Sequence, residues 1–533
     1  MRINAKQKAI LLLVILLLGA ILRIGGCWWG MPERLHPDEA TVVMGAKSLI
    51  ERRSFEPSVY LRPDHFEIKC DAILFNLYSY LVYGKPASDV FGAHLFEFYV
   101  IARCFTAVWG IVMIWIGYLV LEKIWKGTGL LGAFFIAFFP TFITHSHYAT
   151  PDIPLSTVFL ICIYYGLRYL EDGDKKSLAL TCLFTAIACT IKYTGAVICM
   201  LIAAMVLYKS IEEKKTALFF QHGFMALGLV ILFLFLLSPS LFTNMEAVIA
   251  ALKNESRSTH LGADGLGFWG NLIFYIKSFA KNTGVFFMLP VATGIWQCFR
   301  QDKKALTALS VGIIYWAALS VLALHWERWG LPMYLVGILF GAIGTRFVLE
   351  WIASCDRETW RKWGGILAKA AMGCVALSMV CGSFTNLVVH MIKDSRLVAK
   401  QYCEENGINA ENTVFDGYTP FLMEIPMNLS TKLELQNGTL ALKEERDADE
   451  VSYLIISGGM FDRVYAQPER YTERYALYEY IRNSQEPVQV FHTPKLQPGY
   501  SSIGNIVREI QFLIDVGKAG YAGYDIEIYR VDF

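Results

Sequence analysis

Charged residues are scarce in this sequence. Lys, Arg, Asp and Glu make up 18% of its 533 residues, whereas a soluble domain is about 25% charged. The chain therefore lacks the polar surface that a soluble protein of this length needs. Its 14% aromatic content excludes a disordered protein, and only 42 Gly and 17 Pro exclude a collagen-like repeat. A hydrophobic content of 55% and a mean hydropathy of +0.41 indicate a membrane protein.

An excess of charge of either sign is also missing. The net charge is +1, and we predict no nucleic-acid partner because such partners require a basic surface. The balance is nevertheless an average of two unlike parts. By count, the tail from residue 394 holds 13 basic and 22 acidic residues, so its charge is −9 and the remainder carries +10.

The sequence has no Cys-x-x-Cys pair among its 12 cysteines, and no Cys/His array with metal-ligand spacing. Most of the cysteines lie inside apolar runs, where they are typical small core residues. We predict neither a metal site nor a cofactor.

Apolar runs long enough to cross a bilayer need about 17–25 residues. The sequence contains eleven candidates. They are 9–25, 97–121, 128–144, 153–169, 177–191, 193–208, 218–237, 283–299, 306–324, 330–345 and 365–390. The first follows a basic start and lacks a small-residue cleavage site, so we interpret it as an uncleaved span.

Orientation follows from the Lys and Arg content of the short loops. With a cytoplasmic N-terminus, the inner segments hold, by count, 18 Lys and Arg, whereas the short outer loops hold only Lys192 and Arg328. Segments 26–95 and 238–282 then lie outside, as does the tail. We predict an all-α membrane domain, 1–393, and an extracytoplasmic α/β domain, 394–533, in a bacterial plasma membrane. Strands are predicted at 451–456 and 526–531, and a helix at 475–482.

Two adjacent acids, Asp38 and Glu39, follow His36-Pro37 just beyond the first span. Ionisable groups near the hydrocarbon are costly and suggest function. Two adjacent carboxylates here could serve general-base chemistry or bind a cation. The alternative is that Asp38 caps the helix that begins at Ala40, with Glu39 favouring the helix dipole.

A second polar cluster, residues 144–152, lies at the predicted outer mouth between the third and fourth spans. It contains His145, His147 and Asp152. Two histidines and a carboxylate could ligate zinc, although a catalytic zinc site needs three protein ligands in fixed geometry. Capping of the fourth span by Asp152 is the alternative.

The outer side also carries cations. Arg103, Lys192 and Arg328 run against the positive-inside bias, and Lys69 and His65 could join them. They could extend to headgroups or pair with Glu97 or Glu327. An anionic ligand such as a lipid phosphate would equally explain them.

Together these motifs resemble those of the GT-C superfamily of polyprenyl-phosphate-sugar-dependent glycosyltransferases. The likeness is to the protein O-mannosyltransferases and the bacterial aminoarabinose lipid A transferase, that is, to glycosyltransferase family 39 and its bacterial relatives. The matching features are Pro37-Asp38-Glu39, Arg103, Asp152, Lys192-Tyr193-Thr194-Gly195, Ser238-Pro239, Arg328-Trp329-Gly330-Leu331-Pro332 and Asp394-Ser395-Arg396-Leu397-Val398-Ala399. The chain departs from the family at Ile68-Lys69-Cys70-Asp71, where relatives have prolines, and it lacks MIR domains.

The resemblance implies inverting transfer of one sugar from a polyprenyl-phosphate carrier to a hydroxyl of a glycan, lipid or protein on the non-cytoplasmic face. Asp38 would be the base that activates the acceptor, with Glu39 orienting or binding it. Asp152, with His147, would support Asp38 or contact the acceptor. The predicted phosphate- and substrate-binding residues are His65, Lys69, Arg103, His147, Lys192, His260 and Arg328. The alternative function is a transporter or flippase of lipid-linked glycans, although such proteins often show repeats and midplane charges that this sequence lacks.

Overall fold

The structure, a computed structural model, describes residues 4–443 and 450–532. Helices form nearly all of the first part of the chain. They are α1 (Ala5–Ile24), α2 (Glu39–Arg52), α3 (His65–Tyr83), α4 (Ala87–Val90), α5 (Leu95–Ile124), α6 (Gly129–Ala137), α7 (Pro140–Ser146), α8 (Asp152–Asp172), α9 (Lys175–Ile191), α10 (Ile198–Glu212), α11 (Thr216–Leu237), α12 (Ser240–Thr243), α13 (Met245–Glu255), α14 (Gly267–Thr283), α15 (Met288–Gln301), α16 (Lys303–Ser320), α17 (Leu331–Ala353) and α18 (Glu358–Met391).

Each of the eleven predicted spans overlaps one of these helices or the α6–α7 pair. Within the described residues, seven helices are long and apolar enough to cross a membrane, or eight if α6 and α7 form one bent span. The other three, α9, α15 and α16, have 17, 14 and 18 residues. The chain is thus a multi-pass membrane protein, while the count of eleven stays a prediction.

Burial separates central helices from peripheral ones. In α8, 83% of the most apolar window is buried, but in α1 and α11 the figures are 17% and 11%. Exposed Leu and Phe side chains of α11 would be costly in water and are not costly against lipid tails. The large apolar core lies around α8, where residues of α5, α6, α9, α10, α16 and α17 pack.

The bend of 59° between α6 and α7 has a local cause. Pro140, the first residue of α7, has no N–H to donate to Ile136 four residues earlier. The buried Arg23 of α1 supplies the missing donors, with Nη2 2.9 Å from the Ile136 oxygen and Nη1 3.1 Å from that of Ala137. Ser383 donates to the Phe138 oxygen at 2.8 Å. The bend turns α7 so that its C-terminal end reaches the site described below.

The tail contains four helices and eight short strands within its described residues. They are β1 (Lys393–Asp394), α19 (Ser395–Glu405), β2 (Thr413–Phe415), β3 (Leu433–Gln436), β4 (Thr439–Leu442), β5 (Tyr453–Ser457), α20 (Gly458–Tyr465), α21 (Thr472–Ser484), β6 (Pro487–Phe491), α22 (Ser502–Ala519), β7 (Tyr521–Ala522) and β8 (Ile526–Arg530).

The main sheet of the tail has the strand order β2-β5-β8-β6. Strand β2 is parallel to β5, and β8 is antiparallel to both β5 and β6. Strands β5 and β8 and helix α21 confirm the three elements predicted from the sequence pattern. The domain boundary at residue 394 stays a prediction; β1 crosses it and pairs with β7.

An ionisable group lies in the core of the tail. Asp416 is fully buried and accepts hydrogen bonds from the Gly417 and Leu429 amides at 3.0 and 3.2 Å and from the Tyr478 hydroxyl at 2.5 Å. Burial, which disfavours the carboxylate, raises the pKa of Asp416 to about 7 despite these donors.

This pKa predicts how the stability of the tail varies with pH. Between the pKa of Asp416 in the unfolded chain, about 3.9, and its raised folded pKa, the folded form binds more protons, so stability falls as pH rises. We expect Asp416→Asn to remove a slope of roughly 1.4 kcal/mol per pH unit. Unfolding of purified wild type and variant between pH 4.5 and 7 measures it, and parallel pH curves would refute the assignment.

Candidate functional site

A cavity of about 600 Å³ lies between the helical body and the tail. One wall comes from the body and carries Asp38, Arg62, His145, Lys192 and Arg328. The other comes from the tail and carries Asp394, Arg396, Tyr418, Arg463 and Tyr524. Of the ten site residues predicted from the sequence, the cavity is lined by Asp38, Lys192, His260 and Arg328.

Asp38 lies immediately before α2 but makes no side-chain capping hydrogen bond. Its Oδ2 instead contacts the guanidinium of Arg328, from the turn before α17, and lies 3.4 Å from Nη1 of Arg62. Burial alone would raise the pKa of the Asp38 carboxyl, but Arg328 and Arg62 outweigh burial and hold it well below its usual range. The capping alternative for Asp38 therefore does not describe the structure.

Arg62, which sequence reasoning missed, organises the acidic side of the cavity. Its Nε lies 2.9 Å from Oδ2 of Asp64, and its Nη2 donates to the backbone oxygen of Asp38 at 3.3 Å. Burial raises the pKa of Asp64 to about 6, against the effect of Arg62. Arg62 thus bridges two acids. In the sequence, Arg62 is only one of several cations in the long segment 26–95, and no motif marks it.

Glu39 and Arg103 form a closed internal pair rather than facing the cavity. Two contacts of 2.7 Å join the guanidinium to both carboxylate oxygens, and both side chains are 0% exposed. Arg103 also donates to the Cys27 and Trp29 oxygens at 3.0 and 2.7 Å, and Glu39 accepts from the Ala149 amide at 2.9 Å. This arrangement favours a structural role for Arg103 over the predicted phosphate contact.

Asp152 and Lys192 form a second buried pair, with Nζ 3.0 Å from Oδ1. Asp152 begins α8, and Lys192 lies at the turn after α9, 5.3 Å from the ring of Trp329. Lys192 lines the cavity, whereas Asp152 lies behind it. This position favours a role for Asp152 in holding Lys192, and its predicted action on Asp38 or the acceptor stays a prediction.

Besides Glu39, Arg103 and Asp152, three further predicted residues lie outside the cavity lining. His65 contacts the Ser238 hydroxyl and the Val59 oxygen, the latter at 2.7 Å. Lys69 contacts Glu56 at 2.9 Å and the Leu237 oxygen at 2.8 Å. His147 contacts the Leu22 oxygen at 2.7 Å. These contacts join loops to helix ends. The substrate roles of the three residues stay predictions, and their positions do not favour those roles.

Three further residues line the cavity: His36 and Arg396, to which the sequence assigned no role, and His260, which was predicted to bind substrate. His36 stacks on Tyr148 with ring centroids 4.2 Å apart and accepts from the Asp38 amide at 3.3 Å. Arg396 binds Asp394 through two contacts of 2.7 and 2.8 Å and donates to the Leu35 oxygen at 3.1 Å, which joins tail to body. His260 lies on the outer segment with its ring 4.8 Å from that of Trp326.

The polar cluster at residues 144–152 offers two histidines and Asp152 as possible zinc ligands, and the structure shows where their side chains lie. In residues 4–443 and 450–532, no three His, Cys, Asp or Glu side chains converge as a metal site. His147 faces the Leu22 oxygen and Asp152 faces Lys192. The zinc alternative therefore has no ligand set in the part of the chain that is described.

Comparisons with known proteins agree with the predicted resemblance. The family model described as dolichyl-phosphate-mannose-protein mannosyltransferase matches residues 90–242. This segment includes Arg103, Asp152 and Lys192 but neither Asp38 nor Arg328. A search of curated proteins gave no significant match.

Solved structures with a similar fold come from a bacterium and an archaeon. ArnT from Cupriavidus metallidurans in the apo state is 11% identical, with a TM-score of 0.50, over 87% of this chain and 95% of that one. The same protein bound to undecaprenyl phosphate is 12% identical, with a TM-score of 0.49 and the same coverage. The apo oligosaccharyltransferase of Archaeoglobus fulgidus is 9% identical, with a TM-score of 0.50, over 98% of this chain and 88% of that one.

At these identities the likeness defines the fold. The chain is a multi-pass membrane protein with the helical architecture of the GT-C glycosyltransferases and a tail containing strands, as its sequence predicts.

Proposed function

We propose that the protein transfers one sugar from a polyprenyl-phosphate carrier to a hydroxyl acceptor. The observation that carries this proposal is the ionised Asp38 in a cavity shared with Arg62, Lys192 and Arg328. A carboxylate can accept the acceptor's proton, and cations stabilise a leaving phosphate. The family whose model matches residues 90–242 is described by a dolichyl-phosphate sugar donor, which supports the same donor class.

The reaction that fits these groups is a single displacement at the anomeric carbon. Asp38 takes the hydroxyl proton of the acceptor, whose oxygen forms a bond to that carbon. The bond from the carbon to the carrier phosphate oxygen breaks, and the electron pair leaves with polyprenyl phosphate. Attack from the side opposite the phosphate inverts the anomeric centre.

Binding of the donor phosphate near the two arginines should also change the basicity of Asp38. Without a ligand they hold the pKa of Asp38 far below its usual range, which makes it a weak base. A phosphate bound in the cavity competes for the guanidinium groups of Arg62 and Arg328. Because each loses part of its contact with Asp38, the carboxylate becomes more basic when the donor is present.

The location of the reaction follows from the predicted orientation. The distribution of Lys and Arg puts the cavity and the tail on the non-cytoplasmic face of a plasma membrane. The apolar chain of the carrier would enter from the bilayer between helices. Orientation, membrane and the kind of sugar remain parts of this proposal.

A transporter of lipid-linked glycans is the competing function. A transporter needs only to bind and move the carrier, and it has no reason to break the bond between sugar and phosphate. Conversion of polyprenyl-phosphate mannose by the purified protein in detergent, with release of polyprenyl phosphate, separates the two. Binding of undecaprenyl phosphate with no conversion of sugar donors would favour the transporter.

Carrier binding provides a quantitative prediction. Arg328→Ala should weaken the affinity for undecaprenyl phosphate about 10- to 100-fold, because a charge-assisted hydrogen bond is worth about 1.5–3 kcal/mol. Lys69→Met is the matched control, since Lys69 was a candidate cation but lies outside the cavity lining. Equal affinities of wild type and Arg328→Ala, or a loss confined to Lys69→Met, would contradict the placement of the phosphate.

A further inference from the structure

The tail supplies a wall of the cavity that the donor reaction does not use. Tyr418, Arg463 and Tyr524 line it, each from a different segment of the tail. His260 of the outer segment 238–282 and Trp326, just before α17, line the same cavity. Asp38 and the phosphate-binding cations lie on the other wall, so this surface is available to the second substrate.

Tyr418 is held in an unusual backbone conformation. Its φ of 56° lies in the left-handed region, which is rare for a bulky residue and clusters at functional sites. Backbone hydrogen bonds fix the turn, from Gly417 N to the Met427 oxygen at 2.9 Å and from Tyr418 N to the Ile425 oxygen at 3.2 Å. A Cβ at Gly459 would lie 2.7 Å from Cδ2 of Tyr418. The turn and the glycine together position this ring.

Tyr524 extends the aromatic surface. Its ring centroid lies 5.3 Å from that of Tyr418, and the guanidinium of Arg396 lies 5.2 Å from its ring. Tyrosine combines an apolar ring with a polar hydroxyl. Such a pair suits a sugar, whose C–H groups pack on rings while its hydroxyls make hydrogen bonds.

Arg463 differs from the other cations of the cavity in having no carboxylate within 4 Å among the residues that the structure describes. Five cavity cations lie within 4 Å of an acid: Arg62 with Asp64, Lys192 with Asp152, Arg257 with Glu255, Arg328 with Asp38, and Arg396 with Asp394. Arg463 makes no such ion pair among residues 4–443 and 450–532. Its guanidinium lies 5.3 Å from the Tyr418 ring, with Nη2 3.5 Å from that hydroxyl. Apart from this hydrogen bond, its donors face no carboxylate of the described residues and can bind an anion.

We propose that Tyr418, Arg463 and Tyr524 form the acceptor subsite, and that the acceptor is a glycan carrying an anionic group. The two rings bind a sugar of the acceptor, and Arg463 binds its anion. This inference rests on the proposed function, because it assigns the second substrate to the same cavity. The tail is thereby a specificity domain, since it supplies the residues that distinguish one acceptor from another.

The test measures how tightly the full-length protein in detergent binds two tetrasaccharides, one anionic and one uncharged. Hyaluronan tetrasaccharide carries two carboxylates, and chitotetraose is its uncharged counterpart. Wild type should bind the anionic probe at least tenfold more tightly. Arg463→Ala should abolish that preference and Arg463→Lys should retain part of it, whereas Tyr524→Leu should weaken both probes. Exposed Arg530, which lies outside the cavity lining, gives the control Arg530→Ala.

The donor side is measured in parallel with undecaprenyl phosphate, whose affinity should be the same in these variants and wild type. Equal wild-type affinity for the two tetrasaccharides, binding of neither, or a preference unchanged in Arg463→Ala would overturn the acceptor subsite. Loss of undecaprenyl phosphate binding in Arg463→Ala would also overturn it, by placing Arg463 with the donor. Wild type that fails to bind undecaprenyl phosphate would instead overturn the proposed function.

Discussion

Replacing Asp38 with asparagine should lower the rate of sugar transfer by about 10²- to 10⁴-fold, the usual contribution of a general base. Asparagine keeps the shape of the side chain but cannot take up the acceptor proton. The carrier should still bind, and with equal or higher affinity, because Arg328 and Arg62 lose their competing carboxylate. Single-turnover transfer and undecaprenyl phosphate binding measure the two effects separately.

Asp64→Asn is the matched control for Asp38→Asn. Asp64 is also buried and also contacts Arg62, but it is not part of the cavity lining. Its replacement should reduce transfer less than tenfold. Near-normal transfer by Asp38→Asn would remove Asp38 as the base, and equal losses in both variants would show that only the position of Arg62 had been tested.

The helices were predictable because their signal is local. A run of about 20 apolar residues has few other stable structures in a bilayer, and every such run in the sequence overlaps a helix or the bent α6–α7 pair. The strands β5 and β8 of the tail were predictable because both are rich in Ile and Tyr. Strand β5 is a short apolar run, and β8 alternates Ile526 and Ile528 with Glu527. The bend at Pro140 was missed, since only the structure shows Arg23 satisfying the freed oxygens.

The pairing of charges was not predictable from local pattern. Asp38 meets Arg328, which lies 290 positions later in the chain, and no periodicity links them. The motifs identified Asp38, Lys192 and Arg328, yet they grouped Lys69 and Arg103 with them because all are cations on the same predicted side. Side-chain direction separates them: Arg103 points to Glu39, and Lys69 to Glu56.

The cavity residues that come from the tail were even less predictable from local sequence pattern. Tyr418, Arg463 and Tyr524 come from three separate segments, and none belongs to a recognisable motif. What distinguishes them is the close approach of Tyr418 to Gly459 and, among the described residues, the lack of a carboxylate within 4 Å of the Arg463 guanidinium. Both observations are distances between residues far apart in the sequence, so the sequence pattern could not predict them.

The Glu39–Arg103 pair predicts the largest loss of stability. Removing one partner of a buried ion pair leaves an uncompensated charge and costs about 3–5 kcal/mol. Arg103→Met should therefore lower the melting temperature of the purified protein sharply, since Glu39 is 0% exposed and retains only the Ala149 amide as a partner. Glu39→Gln should cost less, because glutamine still accepts hydrogen bonds from Arg103.

The double replacement Glu39→Leu with Arg103→Met distinguishes structural from catalytic use of the pair. Apolar residues of similar volume often restore much of the stability lost when a buried pair is broken. Recovery should be partial here, because the Cys27 and Trp29 oxygens lose the donors that Arg103 provides. A stable Arg103→Met protein whose affinity for undecaprenyl phosphate has fallen tenfold would instead support the phosphate contact suggested by the family resemblance, and would mean that Arg103 leaves Glu39 when the carrier binds.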